Sequence, residues 1–366
     1  MTKVAVVGCG AVVEELHLPA LTELERRGYL RVACLVDPKA DRVKSLQRVF
    51  PKARGYQDAE VAYRENSVDL TLITTPPAFH AKAASMAMSR GSHVLCEKPL
   101  ASSLAEAEAM VTEAQRYGVL LAVGFTRRFF PNLREARELI EVRALGEPMH
   151  FVVREGKVYD WPVASESPFR RASGGGVLLD LGSHVLDTLC WFFGEPVIRS
   201  CEDDALASGV EANCRVDMAF PNARGAMQLS WDQPLASNLT VIGPRGALRL
   251  PAWEMHRWQW QKADGSWEDR VSDTVYADDL CGPARRFRRP DSFNDCIASQ
   301  LMQCLRAIHR SESLAVTGEA ALVSMRALQE CRGMAKPLEQ DWLPALEREA
   351  FKAAHWRAAC VPSQSG

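Results

Sequence analysis

Three ionisable side chains stand at helical spacing near the middle of the chain. Asp180, His184 and Asp187 lie four and then three residues apart within the otherwise apolar stretch 177–193. On a helix this spacing places all three on one face. A carboxylate beside an imidazole fixes the ring tautomer, so the stretch predicts proton transfer. His184 is the candidate base, Asp180 would orient it or bind a substrate hydroxyl, and Asp187 is equally consistent with a structural role.

A lysine is the second candidate for chemistry. Lys98 follows a strand-like run and would lie at the carboxyl end of a sheet, where open α/β folds bind ligands. Its ammonium can donate to a reacting oxygen and stabilise negative charge in the transition state. Pro99 is compatible with a cis peptide bond after the lysine. Glu97 is expected to pack or to lie beside a cofactor, and His80 either packs or contacts the cofactor.

A glycine-rich turn follows the first strand-like run. Gly8 would make the tight turn, and Gly10 would let the backbone approach a pyrophosphate at the N-terminus of the next helix. The third small residue of this dinucleotide fingerprint is absent, since position 13 is valine. The pattern predicts a dinucleotide site, with an ordinary strand-to-helix turn as the alternative.

Asp37 ends the second strand-like run, where a carboxylate can accept both ribose hydroxyls of an adenosine and repel a 2′-phosphate. This favours NAD over NADP, although Lys39 and Arg42 follow closely and could offset the repulsion. Thr75 and Pro76 end the fourth run and should line the same site. The residues predicted to bind the dinucleotide are Gly8, Gly10, Ala11, Val12, Asp37, Thr75, Pro76, His80, Glu97 and Lys98.

The composition is that of an ordinary globular protein. Its 366 residues predict about two domains, and a net charge of −2 favours neither nucleic acid nor a membrane surface as partner. Eleven cysteines without a Cys-x-x-Cys pair, and a start without a leader pattern, favour a cytoplasmic location. No apolar run approaches ~20 residues and the histidines are dispersed, so neither a membrane span nor a metal site is predicted. The basic run Arg285–Arg289 fits a solvated loop or a pocket wall for a phosphorylated substrate.

Periodicity separates the chain into two regions. From residue 3 to about 125, strand-like runs at 4–7, 31–36, 70–74, 93–96 and 120–123 alternate with helix-like stretches at 11–27, 39–49, 78–89 and 103–117. This alternation predicts an α/β fold with a doubly wound parallel sheet of the Rossmann type. We expect a dinucleotide-binding domain over 1–125, a substrate-binding and oligomerisation domain over 126–345, and a C-terminal extension over 346–366.

The second region predicts an α+β domain with a large, mainly antiparallel open sheet. Its strand-like runs are 148–158, 213–220, 224–231, 238–242, 247–250 and 256–261. Helix-like stretches at 177–193 and 292–311 are expected to cover one face of this sheet. Trp258 and Trp260 are assigned to the open face, where an oligomer contact is favoured over a sugar-stacking platform or a plain core.

These segments together resemble the glucose-fructose oxidoreductase, inositol dehydrogenase and MocA family of nicotinamide-dependent oxidoreductases. The resemblance runs over nearly the whole chain, and its specific parts are Glu97-Lys98-Pro99 and the 174–187 stretch. It implies a Rossmann domain, a second domain whose sheet packs in dimers or tetramers, and a nicotinamide in the crevice between them. It also implies that Lys98, Asp180 and His184 surround the reacting carbon. Pro77, where asparagine is common, and Val13 depart from the family pattern on the cofactor side.

The expected function is an NAD(P)-dependent oxidoreductase that transfers hydride between a nicotinamide cofactor and a secondary alcohol or ketone. The substrate would be a polyhydroxylated small molecule, namely a sugar, cyclitol or sugar nucleotide. Arg128, Tyr159 and Asp187 could reach it, and Arg128 and Tyr159 are each equally plausible as surface residues. The alternatives are a redox-neutral glycosidase with tightly bound NAD, and a non-catalytic dinucleotide-sensing regulatory subunit.

Overall fold

The computed structural model describes residues 1–162, 167–170, 173–205, 209–262, 264–272, 292–310 and 313–338. The chain divides into two compact units. The first contains residues 1–135 and 162 with the described part of 272–325, and the second contains 136–161 with the described parts of 165–271 and 326–338. The predicted extension 346–366 and the basic run Arg285–Arg289 lie outside the described residues.

The first unit is built on a parallel sheet. Its strands are β1 Thr2–Val7, β2 Leu30–Val36, β3 Arg54–Tyr56, β4 Leu70–Ile73, β5 His93–Cys96 and β6 Leu121–Val123. They pair in the order β3-β2-β1-β4-β5-β6, which confirms the predicted doubly wound sheet. All four residues of β4 are buried, as expected for a strand covered on both faces. The strand order reverses between β1 and β4, and ligands bind at that point in such sheets.

Helices follow most strands of the first unit. The helices of the described chain are α1 Leu18–Arg26, α2 Ala40–Val49, α3 Ala59–Glu65, α4 His80–Met88, α5 Leu104–Tyr117, α6 Pro131–Glu141, α7 Val177–Phe193, α8 Phe293–Arg310 and α9 Gly318–Met334. Periodicity predicted α1, α2, α4, α5, α7 and α8 but missed α3, α6, α9 and the short strand β3. Within the described residues, no helix is both long and apolar enough to cross a bilayer.

Helix α8 belongs to the first unit, so its predicted place beside the second sheet is wrong. Ile297, Leu301 and Leu305 are buried in one apolar cluster with Val4 and Leu21. The spacing of these side chains gives α8 one apolar stripe. A stripe of this kind fits either core, and periodicity alone does not say which core it joins.

The second unit is built on a mixed sheet. Its strands are β7 Met149–Gly156, β8 Val197–Asp203, β9 Asn213–Ala219, β10 Ala223–Ser230, β11 Asn238–Gly243, β12 Gly246–Pro251, β13 Arg257–Gln261, β14 Trp267–Val271 and β15 Ala335–Pro337. They pair in the order β14-β13-β12-β11-β7-β10-β9-β8-β15. Only the β7–β10 and β8–β15 pairs of this sheet are parallel, which confirms the predicted, mainly antiparallel sheet. Periodicity missed β8, β14 and β15.

The register of this sheet overturns the predicted exposure of the tryptophans. Trp260 pairs with Leu248, Leu248 with Val241, and Val241 with Phe151, so Trp260 lies in a row that shares one face with these apolar residues. Trp258 lies two residues before Trp260, on the same face, and is only 5% exposed. These side chains therefore belong to the covered face, and the tryptophans do not form an open platform.

Candidate active site

The glycine-rich turn of the first unit is held between the ends of three strands. Gly8 donates its N–H to the carbonyl of Val36 at 2.8 Å, and the Thr74 hydroxyl donates to the Gly8 carbonyl at 2.6 Å. Gly8 has a φ of +97°, and a Cβ there would lie 2.7 Å from the backbone nitrogen of Thr75. Only glycine fits this turn, because both the dihedral angle and the neighbouring backbone exclude a side chain.

Asp37 lies beside this turn, as predicted from its place at the end of β2. Its carboxylate accepts the backbone N–H of Cys9 and that of Lys39, each at 2.9 Å. The Arg42 guanidinium lies 3.7 Å from the same carboxylate, and Asp37 is nearly fully buried. The residue that would face an adenosine ribose is therefore partly neutralised by a cation on α2.

The first helical turn starts at Gly10, whose carbonyl accepts the N–H groups of Val13 and Glu14. Residues Val13–His17 form a π-helical turn before α1. The departure from the glycine fingerprint at Val13 thus coincides with a wider turn, in which the valine is fully buried in the core. Turns of this kind are rare and often occur at functional sites.

The Glu97-Lys98-Pro99 segment is tied to that π-helical turn. The Glu97 carboxylate and the His17 ring form a buried hydrogen bond at 2.7 Å, and the Lys98 N–H donates to Glu97 at 3.1 Å. Burial alone would raise the pKa of Glu97, but the His17 contact and the Lys98 charge hold it below its usual value. The Lys98–Pro99 peptide bond is cis. The sequence singled out Glu97, and it gave no role for His17.

His80 links two segments of the predicted cofactor site. Its ring contacts the carbonyl of Pro99 at 3.0 Å and that of Thr75 at 2.7 Å, and the residue is 1% exposed. Burial lowers the pKa of His80, while the two carbonyls act in the opposite direction. The ring therefore joins the end of β4 to the backbone beside Lys98.

The residues of the first unit fit a dinucleotide at the point where the strand order reverses. The hydroxyl of Thr75 is buried and has no hydrogen-bond partner among the described residues. A Cβ on Gly10 would lie 3.5 Å from the Arg42 guanidinium, so a side chain at this position would occupy the space beside that cation. An unsatisfied buried hydroxyl, a bare backbone and a nearby cation suit a phosphorylated ligand at a helix N-terminus.

Arg128 differs from the other predicted substrate residues. It lies in a short 3₁₀ helix, Thr126–Phe129, of the first unit, and is 6% exposed. Its guanidinium donates to the carbonyl of Ala315 at 3.4 Å, and its own carbonyl accepts from the Arg134 side chain at 2.7 Å. These contacts give Arg128 a structural role within its unit.

Helix α7 presents two polar side chains at its surface. Asp180 and His184 are partly exposed one turn apart, whereas Asp187 is 1% exposed. A Cβ on Gly182 would lie 3.1 Å from Leu229 on β10, which is the close approach that a glycine inside this helix predicts. The structure thus leaves Asp180 and His184 partly exposed and buries Asp187.

Tyr159 lies close to this part of α7. Burial and the Asp180 charge together raise the pKa of Tyr159 to about 12. Its ring contacts Trp231 at 4.9 Å and Phe169 at 5.2 Å between centroids, both edge to face. Phe169 is 45% exposed. An aromatic cluster with one exposed ring therefore accompanies the carboxylate.

The sequence gave no signal for Glu211, a residue outside α7 that contacts the first turn of this helix. Its carboxylate accepts the backbone N–H of Leu178 at 3.0 Å, and its carbonyl accepts that of Val177 at 3.0 Å. Glu211 is 7% exposed. The three glycines before α7 indicate that no side chain of that segment caps the helix. Nothing in the sequence indicates that Glu211 is the capping residue.

Both units define the class of protein. The first has the strand order and glycine turn of a dinucleotide-binding Rossmann domain, and residues 2–125 match the model of an oxidoreductase family with an NAD-binding Rossmann fold. Residues 133–249 match the model of the GFO/IDH/MocA C-terminal domain. The chain belongs to the GFO/IDH/MocA family of oxidoreductases, which confirms the resemblance.

Named relatives share part of this chain. It is 27% identical to the D-glucoside 3-dehydrogenase of Escherichia coli over 58% of the chain and 60% of that protein. It is 30% identical to the rhizopine catabolism protein MocA of Rhizobium meliloti over 53% of the chain and 57% of that protein. The chain thus spans less than two thirds of the length of these relatives.

A solved structure extends the likeness of fold. A 3-ketoreductase from Actinomadura kijaniata, crystallised with NADP and TDP-benzene, superposes with a TM-score of 0.76 at 19% identity. The match covers 92% of this chain and 98% of that one. At this identity the likeness shows the fold alone.

Proposed function

We propose that the protein is an NAD(P)-dependent dehydrogenase or reductase that acts on a secondary alcohol or ketone of a sugar, cyclitol or sugar nucleotide. One observation carries the proposal: α7 buries most of its length but leaves Asp180 and His184 partly exposed one turn apart. Family membership and the Rossmann turn supply the context in which these side chains serve hydride chemistry. The related D-glucoside 3-dehydrogenase supports a polyhydroxylated substrate.

Three residues carry the chemistry in this proposal. When bound, the nicotinamide accepts hydride from the alcohol or returns it to the ketone. His184 takes the hydroxyl proton, and Asp180 orients the imidazole or accepts a neighbouring hydroxyl. Lys98 donates to the reacting oxygen and stabilises its developing negative charge.

The first unit supplies the cofactor site. Gly8, Gly10 and the start of the first helix would cradle the pyrophosphate, and the buried Thr75 hydroxyl would find a partner there. Asp37 would accept the adenosine ribose hydroxyls, which favours NAD. Arg42 at 3.7 Å from Asp37 reduces the repulsion of a 2′-phosphate, so NADP use is compatible with this site.

The aromatic cluster near Asp180 supports a sugar-like substrate. The C–H faces of sugars and cyclitols are apolar and pack on aromatic rings, while their hydroxyls bind polar groups. Phe169 exposes nearly half of its surface, and Tyr159 lies within electrostatic range of Asp180. We propose that this cluster contacts the ring of the substrate.

We also propose a homodimer or homotetramer that forms through the sheet of the second unit. The face of β7 opposite the buried Phe151 carries Val152, 42% exposed, and the same sheet exposes 45% of Ile242 and 52% of Val197. Exposed apolar side chains on a sheet favour a protein contact.

The nine cysteines that the structure describes are free thiols, which supports a cytoplasmic location.

The decisive experiment is a mutant cycle on the two candidate catalytic side chains. Sugars, cyclitols and sugar nucleotides are screened for a change in nicotinamide absorbance with NAD and NADP. On the best substrate, Lys98→Ala should lower kcat/KM by about 10²–10³, and His184→Ala by about 10²–10⁴. The double variant should lose less than the product of the two, because both residues serve one transition state.

The matched control is Lys82→Ala, which removes an exposed lysine on α4. It should leave kcat/KM within about twofold, as most surface substitutions do. Dinucleotide binding, measured by fluorescence titration, should survive in His184→Ala. Strictly multiplicative losses, or full activity in either variant, would refute the shared role of these residues.

A further inference from the structure

The N-terminus of α7 has no side-chain cap of its own. Its N-cap residue is Gly176, with a φ of +109°, and the segment before it is also glycine. Helices leave their first N–H groups without partners inside the helix. Here Glu211 accepts two of them, through its carbonyl from Val177 and through its carboxylate from Leu178, both at 3.0 Å. One residue from a distant segment therefore closes the helix that carries Asp180.

The glycines make room for this contact. A Cβ on Gly176 would fall on the carboxylate of Glu211, and a Cβ on Gly175 would fall on the carbonyl of Pro168. The positions of the glycine backbone and the carboxylate are thus mutually fixed. Any displacement of Glu211 must be followed by the first turn of α7.

Glu211 is itself anchored by the segment that follows it. The Asp204 carboxylate accepts the N–H groups of Ala212 and Asn213 at 2.8 Å each. The carbonyl of Ala212 accepts the Trp231 N–H at 2.8 Å, which joins the segment to the end of β10. The segment that carries the capping carboxylate is therefore bonded to Asp204 and to the end of β10.

We propose that Glu211 is a positioning residue, which fixes the first turn of α7 and through it the orientation of Asp180 and His184. This inference rests on the proposed function, because it assigns Glu211 a part in that reaction. Asp180 lies in the turn that Glu211 holds, and its N–H already bonds to the carbonyl of Gly176 at 3.0 Å. His184 follows one turn later on the same face.

The charge on Glu211 gives this role a pH dependence. The pKa of Glu211 is raised to about 7, mainly by burial and also by the Asp203 charge on β8. The Arg332 charge on α9 and the Leu178 N–H act in the opposite direction and lower it. Because the folded value exceeds the ordinary one of 4.5, the folded chain binds the proton more tightly. The free energy of unfolding therefore falls as pH rises from about 4.5 to about 7 and is level above that range. The ionised carboxylate is nevertheless the stronger acceptor for the Leu178 N–H.

The test compares two Glu211 variants with a matched cap on another helix. Glu211→Gln keeps an acceptor but no longer ionises, and Glu211→Ala removes the acceptor. The control is Asp58→Ala, which removes a carboxylate that accepts Glu60 and Val61 N–H groups at the start of α3. In Glu211→Ala we expect kcat to fall by about 10²-fold, the effect of a small displacement of catalytic groups. Asp58→Ala should leave kcat within about twofold.

Two further readouts separate positioning from plain stability. The ratio of wild-type kcat to that of Glu211→Gln should rise through about pH 7, whereas the wild-type Tm should fall relative to that variant between about pH 4.5 and 7. The imidazole NMR signals of His184 should shift in Glu211→Ala and stay unchanged in Asp58→Ala. Equal loss of kcat in both Ala variants, a kcat ratio independent of pH, or unshifted His184 signals would overturn the proposal. A wild-type protein without dehydrogenase activity would refute the proposed function instead, and the NMR comparison would still decide the role of Glu211.

Discussion

Two turns in this molecule open a helix after a glycine with positive φ, one in each unit. Gly8 has a φ of +97° and Gly176 one of +109°. At each turn a carboxylate from another segment accepts a backbone N–H: Asp37 accepts the one that follows Gly8, and Glu211 accepts one at the start of α7. The two turns therefore share one device.

They differ in where the carboxylate binds. Asp37 bonds to the turn before the helix, and a Cβ on Gly10, where the helix starts, would lie 3.5 Å from the Arg42 guanidinium. Glu211 bonds inside the first turn of α7 and already supplies the negative charge that a helix N-terminus attracts. Under the proposed function, the first arrangement leaves the helix N-terminus to the phosphates of the dinucleotide. The second closes it with the chain's own carboxylate, and the helix then serves to orient side chains.

Gly176→Ala should have the largest effect on stability and tests how tightly the second turn is closed. An alanine at this position would have to keep a strained φ, and its methyl group would overlap the Glu211 carboxylate. We expect a loss of about 3 kcal/mol in the free energy of unfolding, measured by urea denaturation. Adding Glu211→Ala should recover part of this loss by removing the overlap.

Gly118→Ala is the matched control, because Gly118 has a φ of +65° with open space around it. It should cost about 1–2 kcal/mol, the strain of a left-handed residue alone. Equal losses at both glycines would contradict the view that Glu211 occupies the space over Gly176.

Gly10→Ala tests the difference between the two turns. A methyl group at position 10 should leave the folded chain stable but weaken the binding of the dinucleotide. The new Cβ would lie 3.5 Å from the Arg42 guanidinium, an ordinary contact, so the Tm should stay unchanged. Dinucleotide affinity should fall roughly tenfold to a hundredfold, equivalent to one lost hydrogen bond to a charged group. Isothermal titration with NAD and NADP measures the loss. An unchanged Kd would show that no phosphate approaches the backbone at Gly10.

The open turn could be predicted from sequence because its parts are local. Gly8 and Gly10 follow β1 directly, and Asp37 ends the next strand along the chain. The alternation of strands and helices then fixed the sheet type, since parallel strands need crossover helices. Helix α7 was also predicted over 177–193, where an apolar run follows glycines.

The closed turn could not be predicted, because its cap lies 33 residues beyond the N–H that it accepts. No periodicity links Leu178 to Glu211. The same limit explains the misplaced helix α8 and the misassigned face of Trp258 and Trp260. A period of two shows that the tryptophans share a face, but only the pairing of β13 with β12 shows which face is covered.

Arg42→Ala should have the smallest effect. It tests whether this arginine helps the first turn to accept the 2′-phosphate of NADP. Its guanidinium lies 3.7 Å from Asp37 and offsets part of that charge. Without it, kcat/KM with NADP should fall more than with NAD, and the NAD-to-NADP ratio should rise about twofold to fivefold, as expected for a partly exposed ion pair. Lys44→Ala removes another cation from α2, one that lies 3.9 Å from the fully exposed Asp41, and should leave the ratio unchanged. An equal change in both variants would mean that the overall charge of α2 sets the preference, and that the contact with Asp37 does not.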